Sequence, residues 1–160
     1  MSEIKRSKKR VKKTGEVFTP PSLVDEMLSK LPEDTWHPDK TFIDNSAGDG
    51  NLIIRIISWK VSKGSTIEQA LSTTYAVEFM EDNVRRMKER ILETVELLDT
   101  TISTIQEAKE KYGHIIEKNI VCHDALTYDY SFNGTNKTNE QLKIEQFLIA
   151  HLFYLSKYWR

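Results

Sequence analysis

The sequence predicts an α/β fold in which a parallel sheet of about three strands is flanked by helices. Two observations lead there. Three short apolar segments, Thr41-Phe42-Ile43, Thr74 to Val77 and Ile120-Val121-Cys122, alternate with longer stretches of helical periodicity. Each runs into an acid: Asp44, Glu78 and Asp124. In a doubly wound sheet, ligands bind beyond the carboxyl ends of the strands, where those acids would lie.

The elements follow in order. Pro20-Pro21 before Ser22 reads as a helix start, and Ser22 with Asp25 three residues on resembles a capping box. Leu23, Val24, Met27, Leu28 and Leu31 share one helical face, which Pro32 closes, and 35–40 reads as a loop. The first strand leads into Gly48-Asp49-Gly50. A helix follows with Leu52, Ile53, Ile56, Ile57 and Val61 inward and Gly64 as its stop. A short amphipathic segment, Ile67 to Leu71, precedes the second strand. Asp82 is placed to cap a long helical region with Val84, Met87, Ile91, Val95, Leu98, Ile102 and Ile105 at spacings of three and four. Thr100-Thr101 is expected to divide it and Gly113 to end its second part. Residues 133–141 read as polar linker. Residues 142–160 read as an apolar helix, for packing on the sheet or on a partner.

Composition narrows the class. The 160 residues are 39% hydrophobic and 29% charged, as in a soluble globular domain. Cys122 is the sole cysteine, so an intrachain disulfide and a cysteine-rich metal site are excluded, and a reducing, cytoplasmic setting is expected. The charged N-terminus does not resemble a secretory signal. The longest apolar run, Phe147 to Leu155, is too short to span a bilayer. His123, beside Asp124, reads as structural or exposed rather than catalytic; His37, His114 and His151 have no companions at metal-ligand spacing, and no metal is expected.

The net charge of −1 hides a split. Seven basic residues, Lys5, Arg6, Lys8, Lys9, Arg10, Lys12 and Lys13, fall within residues 1–13, leaving the rest of the chain at −7. Such an arm is expected to be disordered when free. It reads either as a solubilising tail or as a contact to nucleic-acid phosphates, with Lys8, Lys9, Arg10, Lys12 and Lys13 as the contacting residues.

Gly48-Asp49-Gly50 reads as an ordinary tight turn or as a loop that lets a ligand approach the backbone. A dinucleotide fingerprint would need a third glycine where Ile53 stands. Glu78 reads as an acceptor for ribose hydroxyls or as a helix N-terminal acid. Asp124 reads as an acceptor for an adenine amine or as a turn residue.

At four places the sequence resembles the adenine-N6 DNA methyltransferases, a family that includes type I modification subunits and related restriction–modification enzymes. Thr14-Gly15-Glu16-Val17-Phe18-Thr19-Pro20 resembles the family's Gly-x-x-Phe/Tyr-Thr-Pro motif. The segment from Asp44 to Asn51 is similar to its Asp-Pro-Ala-Cys-Gly-Ser-Gly-Asn loop, with Asn45 in place of proline and Asp49 in place of serine. Tyr75-Ala76-Val77-Glu78 resembles its Tyr-Gly-x-Glu strand, and Cys122-His123-Asp124-Ala125-Leu126 its Gly-Asp-Ala-Leu strand. The matches come in the family's order across residues 14–132.

The resemblance implies a Rossmann-like methyltransferase fold that binds S-adenosylmethionine. Phe18 and Thr19 would line the methionine end, and Asp44 would take the ammonium. Ser46, Gly48, Gly50 and Asn51 would form the loop beside the cofactor. Glu78 would hold the ribose and Asp124 with Ala125 the adenine, and Phe79 is a further expected cofactor-binding residue. The family's Asn/Asp-Pro-Pro-aromatic segment holds the target base. It has no counterpart, because no proline follows Pro38. The chain is therefore expected to be inactive alone: a split subunit, a fragment or a non-catalytic modulator of DNA methylation. DNA, and a protein supplying the missing segment, are the implied partners. A small-molecule methyltransferase and a nucleic-acid-binding interaction protein without cofactor are the alternatives.

Overall fold

The computed structural model describes residues 11, 12, 16, 18–130 and 132. The sheet is three-stranded and parallel, in the order β1 (Phe42–Asp44), β2 (Thr74–Glu78), β3 (Ile120–Cys122). Helix α1 (Pro21–Ser29) and a 3₁₀ turn (Glu33–Trp36) precede β1. Helices α2 (Asn51–Ser62) and α3 (Ile67–Ser72) connect β1 to β2, and α4 (Glu81–Leu98) and α5 (Ile105–Asn119) connect β2 to β3. The fold is thus α/β, as expected, and its β-α-β-α-β order is compatible with one half of a doubly wound sheet.

Both crossovers step the same way along the sheet. Right-handed crossovers that do so place their helices on one face. One core accordingly joins Ile53, Ile54 and Ile57 of α2, Ala70 and Leu71 of α3, Ala76 of β2, Met87, Ile91 and Val95 of α4, and Ile116 of α5. Fully burying each large aliphatic side chain contributes roughly 2 kcal/mol. Tyr75 and Val77 point to the other face, where Phe132 is completely buried against them. The central strand β2 is buried along its whole length.

Several local expectations are corrected. No Ser22 cap forms: α1 begins at Pro21, with Pro20 in the cap position and no side-chain cap. Proline at the first helical position needs no N–H partner and has its φ already set. Asp25 instead accepts two hydrogen bonds from Arg55 of α2, at 2.7 and 2.5 Å. The true capping box is Thr66 with Gln69, at the start of α3. Asp82 does not cap α4, whose cap position is Met80. Gly113 does not end α5, which continues to Asn119. Burial of Tyr112, Ile115 and Ile116 on either side outweighs the roughly 1 kcal/mol penalty of a helical glycine. The division after α4 does occur. Asp99 fixes it by accepting from Thr101, Lys111 and Tyr112.

Of the basic arm, only Val11 and Lys12 are described, both in helical backbone. Lys8, Lys9, Arg10 and Lys13 lie outside the described residues, as do the expected linker and C-terminal helix. Among the described residues no helix is long and apolar enough to cross a membrane.

Lys60 is a fully buried cation in α2. Its Nζ donates to the carbonyls of Lys40 at 2.5 Å and Pro38 at 3.4 Å, and sits 5.4 Å from the centre of the Phe42 ring. Burial pushes its pKa down to about 8, with the charge of Asp39 partly opposing. The folded chain therefore holds this proton less tightly than the unfolded one. The resulting penalty is present in full below about pH 8 and is lifted as the pH rises toward the unfolded value. Urea midpoints are expected to rise between pH 8 and 10, and Lys60→Met to flatten that rise. An equal rise in both proteins would exclude Lys60 as its source.

Candidate functional site

The parallel register sets the strand ends side by side, with Asp44 opposite Ala76 and Glu78 opposite Cys122. The loop after β1 keeps contact with β2, because the Ala47 N–H donates to the Val77 carbonyl at 3.3 Å. That delivers the next N–H, of Gly48, to Glu78 Oε2 at 2.8 Å. Glu78 Oε1 accepts from the Met80 N–H at 2.9 Å and from Asn83 Nδ2 at 3.3 Å. An ionised carboxylate offers about four acceptor positions, so roughly one remains.

Asp44 is also buried. Its Oδ1 accepts from the Ser46 N–H at 3.0 Å, closing a tight turn, while the Ser46 residue itself is exposed. Among the described residues no cationic side chain pairs with Asp44. Burial raises its pKa to about 6; the Ser46 N–H partly offsets this, and the charge of Glu78 adds to it. A buried acid of this kind is favourably occupied by a cation, which would return it to the ionised form.

The first motif reaches this loop from the side. A Cβ built on Gly48 would lie 3.0 Å from Phe18 Cδ1, so the Phe18 ring rests on the glycine. Asn51 Nδ2 donates to the Thr19 carbonyl at 2.9 Å. Residues 18–19 and 48–51, distant in sequence, thus form one contact. The Asn51 side chain is engaged in holding that contact together.

One face of α4 supports the whole arrangement. Asn83, Met87, Arg90 and Thr94 lie one above another at helical spacing, and all four are buried. Asn83 donates to Glu78 and, at 2.7 Å, to Glu16 Oε1. Met87 fills the space beside Gly50, where an added Cβ would lie 2.5 Å from Met87 Cγ. Arg90 donates to the Asp49 carbonyl at 2.7 Å and to Asn51 Oδ1 at 2.8 Å, and forms an ion pair with Asp49 Oδ2 at 2.9 Å. Asp49 is therefore a buried, paired anion rather than an exposed one. Its Oδ1 is buried without a hydrogen-bond partner.

No protein-family model, curated protein or solved structure matches this chain.

Beyond β3, the His123 N–H donates to the Glu78 carbonyl at 3.0 Å, which keeps the Asp124 turn beside the end of β2. Asp124 Oδ1 accepts from the Leu126 N–H at 2.9 Å. Phe79 is 68% exposed and Leu126 94% exposed, so both present apolar surface at this end of the sheet. Ala125 is half-buried and packs against the cluster of Tyr75, Val77 and Phe132. A separate depression of about 280 Å³ runs beside β3, lined by Lys88, Glu117, Cys122, His123 and Tyr128 among others. None of the residues expected to bind cofactor lines it. Among the described residues no group of acids, histidines and cysteine is disposed to hold a metal ion.

Sequence reasoning missed Asn83 and Arg90. Their signal was present as two polar residues seven apart, in phase with the apolar stripe of α4. Interruptions of that kind mark polar groups with specific buried partners.

Proposed function

We propose that this chain is the S-adenosylmethionine-binding part of a DNA methyltransferase of the adenine-N6 type, with the base-holding segment supplied from elsewhere. The observation that carries the reading is the juxtaposition at the ends of β1 and β2. Asp44 is a buried carboxylate with no cationic partner among the described residues, and it lies in the glycine loop that Phe18 covers and Glu78 anchors. Described residues from the four resembling segments, Phe18, Gly48, Glu78 and His123, lie in one chain of contacts at this end of the sheet, which supports the reading.

The residues present fit the cofactor. Asp44 would bind the ammonium of the methionine end, with Phe18 excluding water above the loop. Glu78 has roughly one acceptor position left for a ribose hydroxyl. Asp124 Oδ2, which makes no hydrogen bond among the described residues, would accept from the adenine amine. The exposed Phe79 side chain, next to Glu78 in sequence, would offer apolar surface to the cofactor. When bound, S-adenosylmethionine supplies an electrophilic methyl group on a sulfonium. The excess of buried carboxylates over arginine at this end of the sheet favours a cationic ligand.

The target base would be held by residues this chain lacks, since no proline follows Pro38. The basic arm, Lys8 to Lys13, lies next to the first motif in sequence and would contact DNA phosphates close to the site.

Two results test the proposal. Asp44→Asn retains the acceptor for Ser46 but removes the charge, and is expected to lower S-adenosylmethionine affinity at pH 7.5 at least tenfold by calorimetry. Unchanged affinity would remove Asp44 from the ammonium site. Tritiated methyl transfer to adenine-containing DNA is expected to be absent with this chain alone. Robust transfer would show that the base is held without a proline-containing segment.

A further inference from the structure

After the Asp124 turn the chain doubles back across the second face of the sheet. Tyr130 and Phe132 have φ values of 56° and 42°, in the left-handed region. Non-glycine residues there cost on the order of 1–2 kcal/mol each, and such strain persists only where the surroundings fix it. The fixing contacts are specific. Phe132 is completely buried, with its ring 4.6 Å from that of Tyr75 and 5.3 Å from that of Tyr128. The Phe132 N–H donates to the Tyr128 hydroxyl at 2.8 Å. Tyr130 returns toward the turn, where its hydroxyl donates to the Ala125 carbonyl at 3.0 Å. The Asp124 carbonyl in turn accepts from the N–H groups of Thr127 and Tyr128, at 3.1 and 2.9 Å.

The strained aromatic segment is therefore tied to the two residues assigned to the adenine. Asp124 Oδ1 accepts from the Leu126 N–H within the same turn, so the orientation of the carboxylate follows that of the turn, and Oδ2 makes no hydrogen bond among the described residues. We infer that Tyr130 is a positioning residue for adenine recognition: through the Ala125 carbonyl it sets the turn from which Asp124 reads the exocyclic amine. The inference rests on the cofactor site proposed above. Without the Tyr130 bond, the exposed 124–127 turn would lose its hydrogen-bonded tie to the aromatic segment and keep only the His123–Glu78 bond, the packing of Ala125 and its own local hydrogen bonds. The carboxylate would then be presented in several orientations, and recognition of the amine would weaken more than stacking or ribose contacts.

The test compares S-adenosylhomocysteine with S-inosylhomocysteine, in which the adenine amine is replaced by oxygen. Both are titrated into the full chain and into its Tyr130→Phe variant. That substitution keeps the ring against Tyr128 and Phe132, and a thermal melt within a few degrees of the parent checks that the fold is retained. The parent is expected to prefer the adenine ligand by tenfold or more. The variant is expected to lose at least fivefold for the adenine ligand and less than twofold for the inosine ligand. Equal preference in parent and variant would overturn the role of Tyr130, as would a parent that does not discriminate. A parent that binds neither ligand would instead overturn the cofactor site itself.

Discussion

Arg90→Met is expected to destabilise the chain by roughly 3 kcal/mol or more. Arg90 and Asp49 form a pair buried at the base of the glycine loop, with the Asp49 Oδ1 already lacking a hydrogen-bond partner. Removing the guanidinium leaves a buried carboxylate with no compensating charge among the described residues, and breaking a buried pair from one side costs much more than the pair itself contributes. It also strips donors from the Asp49 carbonyl and from Asn51 Oδ1, so the link from α4 to Thr19 is lost. Asp49 stands where the resembling family has serine, so the two substitutions are coupled in a checkable way. The double variant Arg90→Met, Asp49→Ser is expected to recover a large part of the loss, because no buried charge remains. Denaturant unfolding of the parent, both single variants and the double variant gives the coupling directly. Strict additivity would mean that the pair is energetically inert.

Gly50→Ala is the second large effect. Gly50 has φ +88°, and its added Cβ would lie 2.5 Å from Met87 Cγ, within a side chain that is completely buried. Backbone strain contributes on the order of 1 kcal/mol, and forcing an extra carbon into a packed core contributes about 1–3 kcal/mol more. Gly64 separates the two causes. It has φ +99° but nothing within 4 Å of an added Cβ, so Gly64→Ala carries the strain alone. Gly50→Ala is expected to lower the urea midpoint at least twice as far as Gly64→Ala. It is also expected to abolish ligand binding, since α4 and the loop it supports are driven apart. Similar losses for the two variants would show that Met87 yields and that the close approach at Gly50 is unimportant.

The class of fold was legible because burial imposes it. Ile43, Val77 and Val121 lie in short apolar runs, and the helices between them repeat apolar residues with the helical period. The ends of elements were less legible. Ser22 carries the right chemistry for a cap, but a proline at the first helical position displaces it, and Asp25 finds a stronger partner in Arg55. Gly113 looks like a stop, yet apolar contacts on both sides of it pull the helix through. Asp44 and Glu78 could be read because each directly follows an apolar run, whereas Asp124 lies two residues beyond the end of β3, after His123. That Asp49 would be buried and paired could not be read, because its partner lies 41 residues away on α4. The return of Tyr130 to Ala125 depends on two left-handed aromatic residues, which no local preference predicts.

Calorimetric titration of S-adenosylmethionine into the full chain at pH 7.5 tests the central claim most directly. One site per chain is expected, with micromolar affinity that weakens as the pH falls through about 6 and Asp44 takes up its proton. No heat of binding at millimolar ligand would contradict it.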